Sequence, residues 1–156
     1  MLAFARTGSV ERREVDVAAL VRSAAAHADA DPVEIAFAPD APASFSLDPE
    51  RMEQVLVNLL RNARQAAGAA APVEVEVSRA GAALRLVVRD SGPGFAPAEI
   101  ERAFEPFYTT RAKGTGLGLS LARRVVELHG GKIRAVNRDA GGAQIAIEVP
   151  AELERS

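Results

Sequence analysis

Lys113-Gly114-Thr115-Gly116-Leu117-Gly118-Leu119-Ser120 sets three alternate glycines directly before a helical pattern, Leu121-Ala122-Arg123-Arg124-Val125-Val126-Glu127-Leu128. Glycine has no Cβ, so the backbone can approach a ligand closely, and the first turn of a helix aims unpaired N–H groups and the positive end of its dipole at whatever lies there. A polyphosphate fits such a place; for this stretch taken alone, a plain tight turn is the alternative. Neither common phosphate fingerprint applies. A Walker loop carries its lysine after the last glycine, whereas Lys113 precedes the first, and a dinucleotide fold wants Gly-x-Gly-x-x-Gly rather than the Gly-x-Gly-x-Gly found here.

Working upstream, Asp90-Ser91-Gly92-Pro93-Gly94 closes an alternating apolar run, Leu84, Leu86 and Val88. A carboxylate there either caps the glycine-permitted turn or accepts a hydrogen bond from an exocyclic amine, which would select adenine over guanine. Further upstream, Asn58 and Asn62 stand one turn apart on an amphipathic helical pattern, so both carboxamides project on one side. Asparagine is a mediocre helix former, and the pair is read either as satisfied surface amides or as oxygen donors to Mg²⁺, which takes hard ligands and keeps water and phosphate oxygens around it.

The 156 residues, 48% hydrophobic and 26% charged, fit one soluble domain. A formal charge of -2 offers no basic field to nucleic acid, no apolar run is long enough to cross a membrane, and the start does not read as a signal peptide. With no cysteine, disulfides and thiolate metal sites are excluded. Asp16 is placed to cap a helix to about Ala28, stopped by Asp31-Pro32; Asp48-Pro49 starts a long helix with Met52, Val55, Leu56, Leu59, Leu60 and Ala63 on one face, ending near Gly68. Strands are predicted at 33–37 and 45–47, with hairpins at 73–77 with 84–88 about Gly81, and 133–136 with 145–149 about Gly141-Gly142. Residues 7–13 read as a charged linker. This order predicts an α+β two-layer sandwich, one mixed and mostly antiparallel sheet covered on one face by three helices.

Asn58-x3-Asn62-Ala63, Asp90-x-Gly92-x-Gly94, Phe104-Glu105-Pro106-Phe107-Tyr108-Thr109-Thr110-Arg111 and Gly114-Thr115-Gly116-Leu117-Gly118-Leu119 together resemble, in order, the N, G1, F and G2 boxes of the catalytic ATP-binding domain of bacterial sensor histidine kinases, most similar to the nitrogen-regulation type. The resemblance covers roughly residues 15–150 and implies the GHKL (Bergerat) fold, shared with DNA gyrase B, mismatch-repair MutL proteins and anti-sigma-factor kinases. It implies that Asn62 ligates Mg²⁺ with Asn58 assisting, that Asp90 binds the adenine amine of ATP, and that Gly92 and Gly94 shape the pocket floor. It also implies a short lid in which Gly114, Gly116 and Gly118 offer backbone to the phosphates, flanked by Thr115, Leu117 and Leu119 and carrying Thr109, Thr110, Arg111 and Lys113; Arg111 and Lys113 are phosphate partners or solvated charges. Phe104 and Phe107 would anchor that lid by packing.

Two departures stand out. Gln65 occupies a place where many sensor kinases carry lysine, and Ile145 replaces a frequent aromatic, a change expected to affect packing only. The family's phosphate acceptor is a histidine on a separate dimerisation helix, but this chain has only His27 and His129, both read as structural. Leu2-Ala3-Phe4-Ala5-Arg6-Thr7-Gly8 resembles the last turn of that helix. The domain expectation is therefore residues 1–14 as helix end and linker, 15–152 as the catalytic domain and 153–156 as a tail, an excised catalytic half. The activity implied is transfer of the γ-phosphoryl group of Mg-ATP to a histidine of the dimerisation domain, then to a response-regulator aspartate. The chain would be cytoplasmic and monomeric, without nucleic-acid or membrane contact. A hydrolase that closes a clamp, or a nucleotide-sensing module without catalysis, are the alternatives. Hydrolysing relatives have a glutamate general base where this chain has Asn58, an amide that cannot take a proton at neutral pH.

Overall fold

The computed structural model of the chain describes residues 9–68, 71–105 and 118–151. Its elements run β1 (Arg13–Asp16), α1 (Val17–Ala28), β2 (Val33–Phe37), β3 (Ser44–Leu47), α2 (Pro49–Ala67), β4 (Val73–Ala80), β5 (Ala83–Arg89), α3 (Pro97–Ile100), α4 (Gly118–Leu128), β6 (Lys132–Asn137) and β7 (Ala143–Val149).

Each of the first two helices begins at an aspartate that satisfies an otherwise orphaned N–H. Asp16 accepts from Ala19 N at 3.0 Å, and Asp48 accepts from Arg51 N at 3.2 Å with Pro49 opening the first turn of α2. Gly68, at φ +80°, ends α2 where a side chain would be strained. One face of α2 buries Met52, Val55, Leu56, Leu59, Leu60 and Ala63, matching the periodicity of the sequence.

The strands form a five-stranded sheet in the order β2-β4-β5-β7-β6, parallel only between β2 and β4. Register aligns apolar residues in rows: Val75, Val88 and Ile145 in one, Val77, Leu86 and Ile147 in the next. These rows share one core with the buried faces of α1, α2 and α4. Each fully buried leucine or isoleucine in it contributes roughly 1.5–3 kcal/mol of transfer free energy. The alternate positions are mostly polar apart from the buried Val87 and its partner Ala146; Arg89 meets Glu76 at 2.7 Å and Arg85 meets Glu148 at 3.9 Å there.

The α+β sandwich and its mixed sheet are as expected. Two features differ. Residues 13–16, read as linker and helix cap, form β1, which pairs antiparallel with β3 as a separate two-stranded sheet. Arg13, Glu14 and Asp16 gave no apolar alternation; the strand exists because β3 supplies its partner. The four-residue α3 was also not anticipated, being too short for any period to register.

Away from α4's N-terminus, a polar node joins the incoming segment to the rest. The Arg12 guanidinium donates to Ser46 O (2.8 Å), His129 O (2.5 Å), Pro150 O (3.1 Å) and Ala151 O (2.9 Å). Asp48 Oδ2 accepts from Glu11 N at 2.9 Å, and Asp48 N donates to His129 Nε2 at 3.0 Å. His129, fully buried, bonds Val125 O through Nδ1, so its ring is the Nδ1–H tautomer. Burial first, then the Arg12 charge, holds its pKa below the ordinary 6.5. His27 instead is exposed and pairs with Glu53, which also accepts from Ser23.

Candidate functional site

Asn58 and Asn62 lie on α2 beside its buried stripe, and the N-terminus of α4 is packed against both. Asn58 Nδ2 donates to Gly118 O at 3.5 Å, and a Cβ on Gly118 would stand 3.6 Å from Asn62 Nδ2 and 3.9 Å from Asn58 Cβ. The two asparagines therefore face the positive end of an 11-residue helix.

Asp90 follows the end of β5 and is 7% exposed. Its Oδ1 accepts from Gly92 N (2.9 Å) and Ala143 N (3.2 Å), while its own N–H donates to Ala143 O at 3.0 Å. The turn-capping reading of this residue is thus correct for one oxygen. Oδ2 takes no hydrogen bond from the described residues.

Between these groups lies a cavity of about 550 Å³, lined by Asn62 and Asp90 with Leu59, Ala63, Ala66, Val88 and Ile145, by the loop Pro93-Gly94-Phe95-Ala96, and by Gln65, Glu99, Leu119 and Ala143. Mostly apolar walls with a few placed polar groups, at this size, suit a nucleotide. The loop is seated tightly. A Cβ on Gly92 would come 2.2 Å from Ala66 O, so any side chain there would lift the loop off α2. Gly94, at φ +77°, has Asn137 Oδ1 2.8 Å from its virtual Cβ.

Of the residues singled out in the sequence, the structure brings together Asn58, Asn62, Asp90, Gly92, Gly94, Gly118 and Leu119. Gly94 and Leu119 line the cavity, whereas Gly92 holds the loop from behind. Thr109, Thr110, Arg111, Lys113, Gly114, Thr115, Gly116 and Leu117 lie outside the described residues, as does Phe107. Phe104 packs on the core. Ile145, read as a matter of packing alone, is also part of the cavity wall. Sequence reasoning passed over the wall residues of α2 and the contribution of the β6–β7 turn. The α2 wall was accessible, because Leu59, Ala63 and Ala66 are the i+1, i+5 and i+8 neighbours of Asn58 on one helix. The turn was not, since only tertiary pairing carries it to Asp90.

Among the described residues no group of three or more His, Asp or Glu is placed to hold a metal on its own. The carboxamide of Asn62 in the cavity wall is compatible with Mg²⁺, which binds through one or two protein oxygens and the substrate's phosphates rather than in an all-protein cage.

A two-layer sandwich whose cavity is lined by a buried carboxylate and by an asparagine beside a helix N-terminus is the arrangement expected of an ATP-binding domain of the GHKL class. Residues 47–153 match the family model described as histidine kinase-, DNA gyrase B-, and HSP90-like ATPase. The catalytic domain of histidine kinase ThkA superposes with a TM-score of 0.81 at 31% identity, covering 92% of this chain and 97% of that one. Sensor histidine kinase ZraS of Escherichia coli O157:H7 is 42% identical over 108 residues, 69% of this chain and 24% of that protein. ThkA in complex with the response regulator TrrA matches at 28% identity and TM-score 0.76, covering 91% of this chain and 42% of that one. The chain belongs to the histidine kinase-, DNA gyrase B- and HSP90-like ATPase family, on its histidine-kinase catalytic-domain branch. That membership implies ATP binding. The chain spans about a quarter of the curated relative's length, and no helix among the described residues is long and apolar enough to cross a membrane.

Proposed function

We propose that this chain binds Mg-ATP and presents its γ-phosphoryl group to a histidine on a separate dimerisation domain, from which it passes to a response-regulator aspartate. The observation that supports the reading is that Asp90 and Asn62, the latter beside the N-terminus of α4, both line the same 550 Å³ cavity. Asp90 Oδ2 accepts from the adenine amine, and the apolar walls from Val88, Ile145 and Leu119 hold the base. Asn62 offers its carboxamide oxygen to Mg²⁺, with Asn58 beside it; the metal's contribution is to neutralise charge on the phosphate oxygens. The N–H groups opening α4 face the phosphates. Gly114, Gly116, Arg111 and Lys113 belong to the same reading through the sequence resemblance. Catalysis is then mostly positioning and electrostatic stabilisation.

Residues 1–14 join the domain to the histidine-bearing helix in this reading, and the receiver partner is suggested by the ThkA–TrrA complex. The isolated chain is a monomer on the cytoplasmic side, where ATP is supplied. The hydrolase alternative lacks a base: Asn58 holds the position that carries glutamate in hydrolysing relatives, and neither His27 nor His129 is among the residues lining the cavity.

Incubation with γ-labelled ATP should leave the chain unlabelled and release little phosphate. Adding the parent's dimerisation domain should place acid-labile, base-stable label on that domain alone. Rapid phosphate release by the chain alone would favour hydrolysis; normal ATP binding with no labelling of the added domain would favour a sensing module.

A further inference from the structure

We infer that Asn137, at the end of β6 and outside the cavity lining, is the positioning residue for the adenine side of the site. This deepens the proposed reading and rests on it. Asn137 Oδ1 accepts from Phe95 N and its Nδ2 donates to Phe95 O, both at 2.8 Å. One carboxamide thus satisfies both polar groups of one residue's main chain, as a neighbouring strand would. Phe95 belongs to the loop Pro93-Gly94-Phe95-Ala96 that forms one wall of the cavity. Among the described residues, these are the hydrogen bonds that tie loop residues 91–96 to a strand; the others there are local, from Gly92 N to Asp90 Oδ1, from Ala96 N to Glu99 Oε1, and from Glu99 N and Ile100 N of α3 to Ala96 O.

The rest of the β6–β7 turn grips the other end of the same loop. Arg138 Nη1 donates to Asp90 O at 2.8 Å, Ala143 O accepts from Asp90 N, and Ala143 N donates to Asp90 Oδ1. Approach is so close that a Cβ on Gly142 would lie 2.0 Å from Asp90 O. Asp90 and Phe95 are therefore both registered against one turn, and the spacing between the carboxylate and the loop wall is set by that turn. Asp90 keeps three ties if Asn137 is removed; Phe95 keeps none of its two. Asn137 is exposed, so its substitution leaves the core intact.

The test compares the wild-type chain with Asn137→Ala, and with Asp139→Ala, an exposed change in the same turn. Losing two solvent-accessible hydrogen bonds should weaken binding about three- to tenfold, equally for ATP, ADP and adenosine. The increment in ATP affinity that Mg²⁺ gives should be unchanged, because the metal end of the cavity is not touched. Amide exchange at Phe95 should accelerate in Asn137→Ala alone, with no shift in the urea midpoint large enough to unfold the protein. Wild-type protein that binds ATP beside an Asn137→Ala variant of equal affinity overturns the inference and leaves the kinase reading standing. Failure of the wild-type chain to bind ATP overturns the kinase reading, and this role for Asn137 with it. A loss confined to ATP, or shared by Asp139→Ala, also overturns the inference.

Discussion

Oδ1 of Asp90 is held by two backbone N–H groups, Gly92 and Ala143, before any ligand arrives, which orients the other oxygen without relying on the ligand to do so. In Asp90→Asn the amide oxygen can keep both of those bonds, and its NH₂ then faces the cavity where an acceptor is needed. The fold should survive while ATP binding weakens: loss of a charge-assisted hydrogen bond is worth roughly 1.5–3 kcal/mol, about ten- to a hundredfold in affinity. Calorimetric titration with ATP and GTP checks this, and equal affinity for the two in the wild type would refute the adenine assignment. Asn62→Ala should remove most of the gain that Mg²⁺ gives to ATP binding and leave the helix stable, since alanine is the better helix former. Titrations with Mg²⁺ and with EDTA measure that gain directly. Asp90 and Asn62 could be found in the sequence because each sits in a pattern that chemistry alone makes unusual. Asn137 could not, because nothing in Ala135-Val136-Asn137-Arg138 says that Phe95 lies beside it.

At the scale of elements, α2 was readable from end to end: Asp48-Pro49 as its start, Gly68 as its stop, and a continuous apolar stripe between. β1 was not, for its four residues show no inward alternation and owe their conformation to β3. The parallel pairing of β2 with β4 was equally hidden, since the sequence marks strands but not which neighbour each will choose. Because α2 both fills the core and carries the asparagines, stability and binding can be separated on it. Leu56 is 1% exposed and does not line the cavity. Leu56→Ala should cost about 2–5 kcal/mol of stability, as truncation of a buried leucine does. A urea titration should show the lowered midpoint, while ATP affinity measured where the variant remains folded stays close to that of the wild type.

For the whole molecule, the node of Arg12, Asp48 and His129 makes stability depend on pH. His129 is neutral in the fold because burial lowers its pKa from 6.5, and a proton on Nε2 would also oppose the Asp48 N–H that this atom accepts. The unfolded chain binds that proton more readily. The stabilisation is therefore present in full above pH 6.5 and is lost as pH falls through the folded-state value, with a slope of at most about 1.4 kcal/mol per pH unit for one proton. Urea midpoints measured between pH 7.5 and about pH 5, above the range where carboxylates titrate, should fall on acidification. His129→Gln, already less stable, should show a shallower dependence.

The same guanidinium that reaches His129 also holds the carbonyls of Pro150 and Ala151, so residue 12 and residue 151 are neighbours in space although nearly the whole domain separates them in sequence. Peptide connectivity is then interchangeable with proximity. A circular permutant that links Ala151 to Ser9 through a short glycine-serine bridge and opens the chain between Gly81 and Ala82 cuts a turn whose glycine, at φ +60°, has nothing within 4 Å of a virtual Cβ. That molecule should fold with the circular dichroism of the parent and bind ATP with the parent's affinity. Its incoming tether would then leave from the β4–β5 turn instead of from Arg12. Under the proposed function, a permutant that binds nucleotide normally but no longer supports phosphorylation of an added dimerisation helix would show that the point of attachment matters for phosphoryl transfer.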